Sequence, residues 1–165
     1  MNHHAHPASI SVNDFKPLTV SSTAFKEGEW IPEKYTCDGA NVNPPLHIEG
    51  IPENTKCLAI IVDDPDAPVA TWLHWIIWNI PVTHHYKENT IHGSQGLNDF
   101  QKNNYSGPCP PPGKEHRYYF KIYALDELIL LPSTAGKKEL EATMSDLIIA
   151  YGVLTGLYKR KEKKS

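Results

Sequence analysis

Six consecutive residues, Cys57-Leu58-Ala59-Ile60-Ile61-Val62, are apolar on both faces of an extended chain. A strand of that kind has no side to give to water, so the fold must cover it from both sides and place it centrally. The chain has 165 residues, one domain's worth of sequence. A domain near that size hides roughly 68–70% of its unfolded surface, which is enough for such a core without disulfide staples. Its 14 prolines outnumber its 10 glycines, which favours rigid turns and argues against a helical bundle.

Further strand-like stretches stand between Pro, Gly, Asn and Asp punctuation at 9–12, 18–21, 46–48, 72–80, 117–124 and 153–159, with the central one running over 57–63. Only 137–150 has a helical period. There Leu140, Met144, Leu147 and Ile148 fall at i, i+4, i+7 and i+8, and Gly152 sits where the residue after a helix end belongs. The expected architecture is therefore mostly β with one late helix. It forms a single domain over 9–160, between a flexible His-rich start (1–8) and a basic tail (161–165).

Charge and composition exclude several classes. Lys and Arg number 16 against 19 Asp and Glu, for a net charge of −3. The end from Lys159 carries five positive and one negative side chain, so the remainder holds about −7. A nucleic-acid binder is basic across a folded face, so no nucleic-acid partner is expected. Met1-Asn2-His3-His4-Ala5-His6-Pro7 lacks the basic start and apolar stretch of a secretory signal. No apolar run approaches the roughly 20 residues of a membrane span, so no integral membrane association is expected. Cys37, Cys57 and Cys109 are odd in number, with no CxxC. They read as reduced thiols and small buried hydrophobes in a cytoplasmic protein. Met1-Asn2-His3 also offers an amine, amides and an imidazole suited to square-planar Cu(II) or Ni(II).

The chemistry lies between Val62 and Tyr118. Asp63-Asp64-Pro65-Asp66-Ala67-Pro68 ends the central strand in a rigid corner carrying carboxylates. In Trp72-Leu73-His74-Trp75-Ile76-Ile77-Trp78-Asn79, a period of two puts Trp72, His74, Ile76 and Trp78 on one face and Leu73, Trp75, Ile77 and Asn79 on the other. A histidine in so apolar a strand needs partners. Residues 84–113 are irregular and too long for a plain connection, hence a functional loop. Within it, the glycine of Gly107-Pro108-Cys109-Pro110-Pro111 would let a ligand approach the backbone. After it, His116, Tyr118 and Phe120 share a strand face, while Arg117 and Tyr119 share the other. His116 and Tyr118 can thus point into one pocket, and Arg117 is expected to be structural, tied to a carboxylate behind the sheet.

In their order and spacing, Asp64-Pro65-Asp66-Ala67-Pro68, Trp72-x-His74-Trp75, Gly107-Pro108-Cys109-Pro110-Pro111 and His116-Arg117-Tyr118 resemble the phosphatidylethanolamine-binding protein family, also called the Raf kinase inhibitor-like family. Tyr35-Thr36-Cys37-Asp38-Gly39, Gln95-Gly96-Leu97-Asn98-Asp99-Phe100 and Tyr123-Ala124-Leu125-Asp126 are most similar to its short bacterial and archaeal branch. Asn43 stands where that branch usually has serine, and Ser106 where it commonly has glycine. The resemblance implies a large central antiparallel sheet, a smaller sheet packed on it, and an anion pocket built from Asp64, Asp66, Trp72, His74, Gly107, Pro108, His116 and Tyr118. Two imidazoles and a phenol would donate to a phosphoryl or carboxylate group, while a carboxylate accepts a proton from the far side of a histidine.

The function expected is a non-catalytic binding module for a small anion or phosphorylated ligand, without cofactor or metal. By resemblance its protein partner is a kinase or serine protease, and homodimer assembly stays open. Two alternatives stay open as well. One is a hydrolase or phosphoryl-transfer enzyme using His74 and His116, although neither a serine nor Cys109 sits in a nucleophile elbow. The other is a metal protein using two histidines with Asp64 or Asp66.

Overall fold

Strand-forming residues dominate the chain, and the computed structural model, which describes residues 15–161, orders them as follows. The strands are β1 (Lys16–Pro17), β2 (Thr19–Ser21), β3 (Leu46–Glu49), β4 (Cys57–Asp64), β5 (Trp72–Ile80), β6 (His85–Tyr86), β7 (Ser94–Gln95), β8 (Glu115–Leu125) and β9 (Ile148–Lys159). One helix, α1 (Lys137–Met144), precedes β9. The expectations for 1–8 and 9–12, for Met1-Asn2-His3, and for the tail beyond Lys161 lie outside the described residues.

The apolar run sits where its composition requires. β4 is buried at every position and lies within a six-stranded sheet of order β1-β9-β8-β4-β5-β7. A second sheet of order β2-β3-β6 packs on one face. Alternate residues of β4 serve two cores. Leu58, Ile60 and Val62 join Val20, Leu46, Ile48, Tyr86 and Phe120 between the sheets. Ala59 and Ile61 join Leu140 and Met144 of α1 on the opposite face. The large sheet is antiparallel except at its edge, where β1 lies parallel to β9.

The helix is shorter than its period implies. It ends at Met144, and Ile148 is already paired with Leu125 of β8. The β-branched pair Ile148-Ile149 gains more from the ladder than from two further helical turns. Gly152 is therefore no helix terminator. It lies inside β9, where a Cβ would stand 2.3 Å from the Leu18 carbonyl oxygen.

Strict alternation also fails along β5. Val62 faces Trp75 but Asp63 faces Leu73, and Ile60 faces Ile77 but Leu58 faces Ile80. Each step inserts one extra residue into β5, the first at His74 and the second next to Asn79, whose φ is 54°. Trp75 and Ile77 consequently join the core between the sheets, while Leu73, Ile76 and Trp78 face the helix. The first bulge re-aims His74 toward Tyr118.

Candidate functional site

Antiparallel neighbours bring the end of β4 and the starts of β5 and β8 to one end of the large sheet. Asp64 faces Trp72 across the ladder, and His116 and Tyr118 open β8 beside them. The bulged His74 has its carbonyl turned out of the ladder, where it accepts from Ser106 N–H at 3.1 Å and from Asn98 Nδ2 at 3.1 Å.

Each histidine is held at Nδ1. His116 Nδ1 donates to Asp64 Oδ2 at 2.7 Å, and both side chains are almost fully buried. The other Asp64 oxygen accepts the Asp66 N–H at 2.7 Å, so the Asp-Pro corner fixes the carboxylate. His74 Nδ1 donates to the Ser106 carbonyl at 2.6 Å. With Nδ1 engaged in both rings, Nε2 is the atom left for a ligand. Burial pushes the His74 imidazole below its ordinary value, against the pull of the Ser106 carbonyl. The Tyr118 ring packs edge-on against His74 at 5.4 Å and stacks with His116 at 6.4 Å. Its hydroxyl is buried and has no hydrogen-bond partner. Burial, followed by the Asp64 carboxylate, holds this phenol well above its usual range.

These side chains surround a cavity of about 190 Å³, whose wall is completed by Ala67, Pro68, Trp72, Phe100, Cys109, Pro110 and Pro111. At ~30 Å³ per water, the space suits a small polyatomic ion. Five of the expected residues meet there: Asp64, Trp72, His74, His116 and Tyr118.

The other three expected residues stand outside the lining. Asp66 turns away and binds Arg117, accepting from its N–H at 2.8 Å, Nε at 2.9 Å and Nη2 at 2.8 Å. That guanidinium holds the Asp66 carboxyl down at about 2. Arg117 thus has its carboxylate, but its side chain is 51% exposed, so the pair is a surface pair rather than a buried one. The Gly107 N–H is spent on Asn41 Oδ1 at 2.7 Å. A Cβ on Gly107 would stand 2.1 Å from the Tyr35 carbonyl oxygen, so what approaches this glycine is the chain itself and not a ligand. The Pro108 carbonyl accepts the Cys37 N–H at 3.0 Å.

One expectation is overturned outright. Cys37 and Cys109 are joined in a disulfide, with Cα atoms 5.4 Å apart, so they are not reduced thiols and Cys109 is no nucleophile. The two loops are already brought together by Tyr105 Oη donating to the Tyr35 carbonyl and by the Gly107–Asn41 bond, neither of which is visible in cysteine spacing. Only Cys57 remains free. It is buried, which raises its thiol above the ordinary value. The cysteine argument for a cytoplasmic location therefore lapses. Among the described residues no helix is long and apolar enough to cross a membrane.

Phe100 and Asn98 escaped the reading of single side chains. Asn98, 2% exposed, is a hub. Its Nδ2 donates to the His74 and Asn104 carbonyls, and its Oδ1 accepts from the Phe100 and Lys102 N–H groups. The motif Gly96-Leu97-Asn98-Asp99-Phe100 was the available signal. Both departures from the branch pattern are accommodated. Asn43 is buried, donating to the Pro44 and Lys87 carbonyls and accepting the Thr90 N–H. Ser106 Oγ donates to Asn104 Oδ1.

The phosphatidylethanolamine-binding protein family model matches residues 21–159, which include every residue lining the cavity. The chain belongs to this family. Among its relatives is the UPF0098 protein PH1269 of Pyrococcus horikoshii, 51% identical over 150 residues, covering 85% of this chain and 76% of the relative. The crystal structure of a phosphatidylethanolamine-binding protein homologue from Chlamydia trachomatis superposes with a TM-score of 0.82 at 38% identity, covering 90% of this chain and 99% of that one. Escherichia coli YbcL, described as a member of the mammalian family, superposes at 0.81 with 32% identity over 87% of this chain and 99% of its own. Membership in the phosphatidylethanolamine-binding protein family supports a binding-protein function.

Proposed function

We propose that the cavity captures a small oxyanion, such as phosphate or the phosphoryl group of a monoester, and holds it without chemistry. The observation that carries this reading is the buried Tyr118 hydroxyl, which makes no well-formed hydrogen bond, on a ring packed against two histidines whose Nδ1 atoms are already engaged. An unpaired buried hydroxyl costs about 1–3 kcal/mol. A bound oxygen would accept from it and from both Nε2 atoms as charge-assisted hydrogen bonds form. The lining contains no serine, threonine or free cysteine, so a covalent intermediate has no aliphatic hydroxyl or thiol to form on. The Asp64 carboxylate is engaged by His116 and the Asp66 N–H and also acts on the Tyr118 hydroxyl, rather than standing free to repel the guest.

The pH dependence follows from His74. Burial disfavours its charged form and lowers its pKa, and an anion beside Nε2 draws a proton onto the ring. Phosphate should therefore bind with net proton uptake, and affinity should fall as pH rises from the lowered pKa of the ligand-free ring, below the ordinary histidine value of about 6.5, to the higher pKa of the ring beside the anion. Calorimetric titration of phosphate in two buffers of different ionisation heat checks the uptake, and melting temperature with and without phosphate checks the binding. Equal stabilisation of the natural protein and the His74→Ala/His116→Ala double variant would overturn the proposal.

A further inference from the structure

A second cluster of histidines lies outside the lining of this cavity, on the outer face of the three-stranded sheet. His47 of β3 and His85 of β6 are direct partners in the antiparallel register. The Ile48 N–H donates to the His84 carbonyl at 2.8 Å, so the 48/84 pair is the hydrogen-bonded one and the adjacent 47/85 pair is not. In non-hydrogen-bonded pairs the Cα atoms approach to about 4.5 Å and the side chains are closest. Leu46, Ile48 and Tyr86 point into the core, so alternation sends His47, Glu49 and His85 outward together. His47 Nε2 already meets Glu49 Oε2 at 2.5 Å.

We propose that this pair is a site for a divalent transition-metal ion of the zinc type. The Glu49 carboxylate accepts the Nε2 proton of His47, which fixes the ring in the tautomer whose Nδ1 carries a free lone pair. This is the carboxylate–histidine arrangement that orients imidazoles toward metals. His47 Nδ1 and one ring nitrogen of His85 are the protein ligands, and water completes the shell. Imidazole nitrogen suits zinc, copper and nickel far better than magnesium or calcium. Among the described residues no three His, Cys, Asp or Glu side chains form a ready-made cage, so this is a two-ligand clamp between strands. By joining β3 to β6 it favours the folded chain and should raise the melting temperature as metal is added. His84 is excluded because it stands opposite Ile48, where alternation turns it to the other side of the strand from His85.

The test is Zn(II) titration of the full chain, read by melting temperature and by the imidazole resonances of His47 and His85. Zn(II) is expected to raise the melting temperature and shift both rings. His47→Gln and His85→Gln should each abolish the increase without altering the metal-free value, since both positions face outward. Glu49→Gln should weaken binding roughly 10-fold. His3, His4, His6, His74, His84, His92 and His116 remain in every variant, so the difference reads His47 and His85 alone. An increase that persists in both histidine variants, or unperturbed resonances of the two rings at saturating Zn(II), would overturn the assignment.

Discussion

Removing the Cys37–Cys109 bridge is expected to lower stability by about 4 kcal/mol. The bridge spans a sequence separation of 72 residues, and closing a loop of that length withdraws roughly this much entropy from the unfolded chain. In the folded state the same loops stay joined by the Tyr105–Tyr35 and Gly107–Asn41 hydrogen bonds and by the Cys37 N–H on Pro108. The loss thus falls mainly on the unfolded side, and the fold should survive reduction. At roughly 2–4 °C per kcal/mol for a chain of this size, the melting temperature should drop by about 8–16 °C. Calorimetry of the Cys37→Ser/Cys109→Ser variant beside the oxidised protein measures it. Matching melting temperatures would show that the bridge contributes nothing.

His116→Ala should be nearly as damaging for a different reason. It leaves the Asp64 carboxylate buried without its imidazole donor, keeping the Asp66 N–H at one oxygen. Removing the hydrogen-bond donor of a buried carboxyl group leaves its desolvation uncompensated, a cost of about 1–3 kcal/mol and more when the group is charged. Urea denaturation reads the difference directly. A change within about 0.5 kcal/mol, as for an ordinary surface position, would mean that Asp64 is solvated rather than held in a dry pair.

The part of this molecule legible in its residues is the part governed by period and burial. An apolar run on both faces announced β4, and the alternation of His116, Arg117 and Tyr118 correctly separated the cavity face from the outer one. What misled was geometry that departs from the period. One extra residue at His74 moved Leu73 to the face of Ile76 and Trp78, while Trp75 and Ile77 kept their common face, and nothing in Leu73-His74-Trp75 marks that insertion. Ile148-Ile149 carried a helical period into a strand because pairing with β8 outweighed it. The Cys37–Cys109 bridge depends on two loops meeting in space, which a count of three cysteines does not reveal. Gly107 was rightly singled out for close approach, but the approaching group is the Tyr35 carbonyl. Asp66 belongs to the same carboxylate-rich corner as Asp64, yet its preceding turn delivers it to Arg117 on the outer face.

The most direct test of the oxyanion pocket is phosphate affinity in the Tyr118→Phe variant, because this change removes one oxygen and nothing else. That oxygen is buried without a well-formed hydrogen bond, so its loss should leave the stability measured without phosphate unchanged or slightly higher. If it donates to the bound anion, a charge-assisted hydrogen bond of about 1.5–3 kcal/mol disappears, and phosphate should bind roughly 10- to 100-fold more weakly. A Tyr118→Phe protein that is equally stable and binds phosphate as tightly as the natural one would contradict the assignment of this cavity as the anion site.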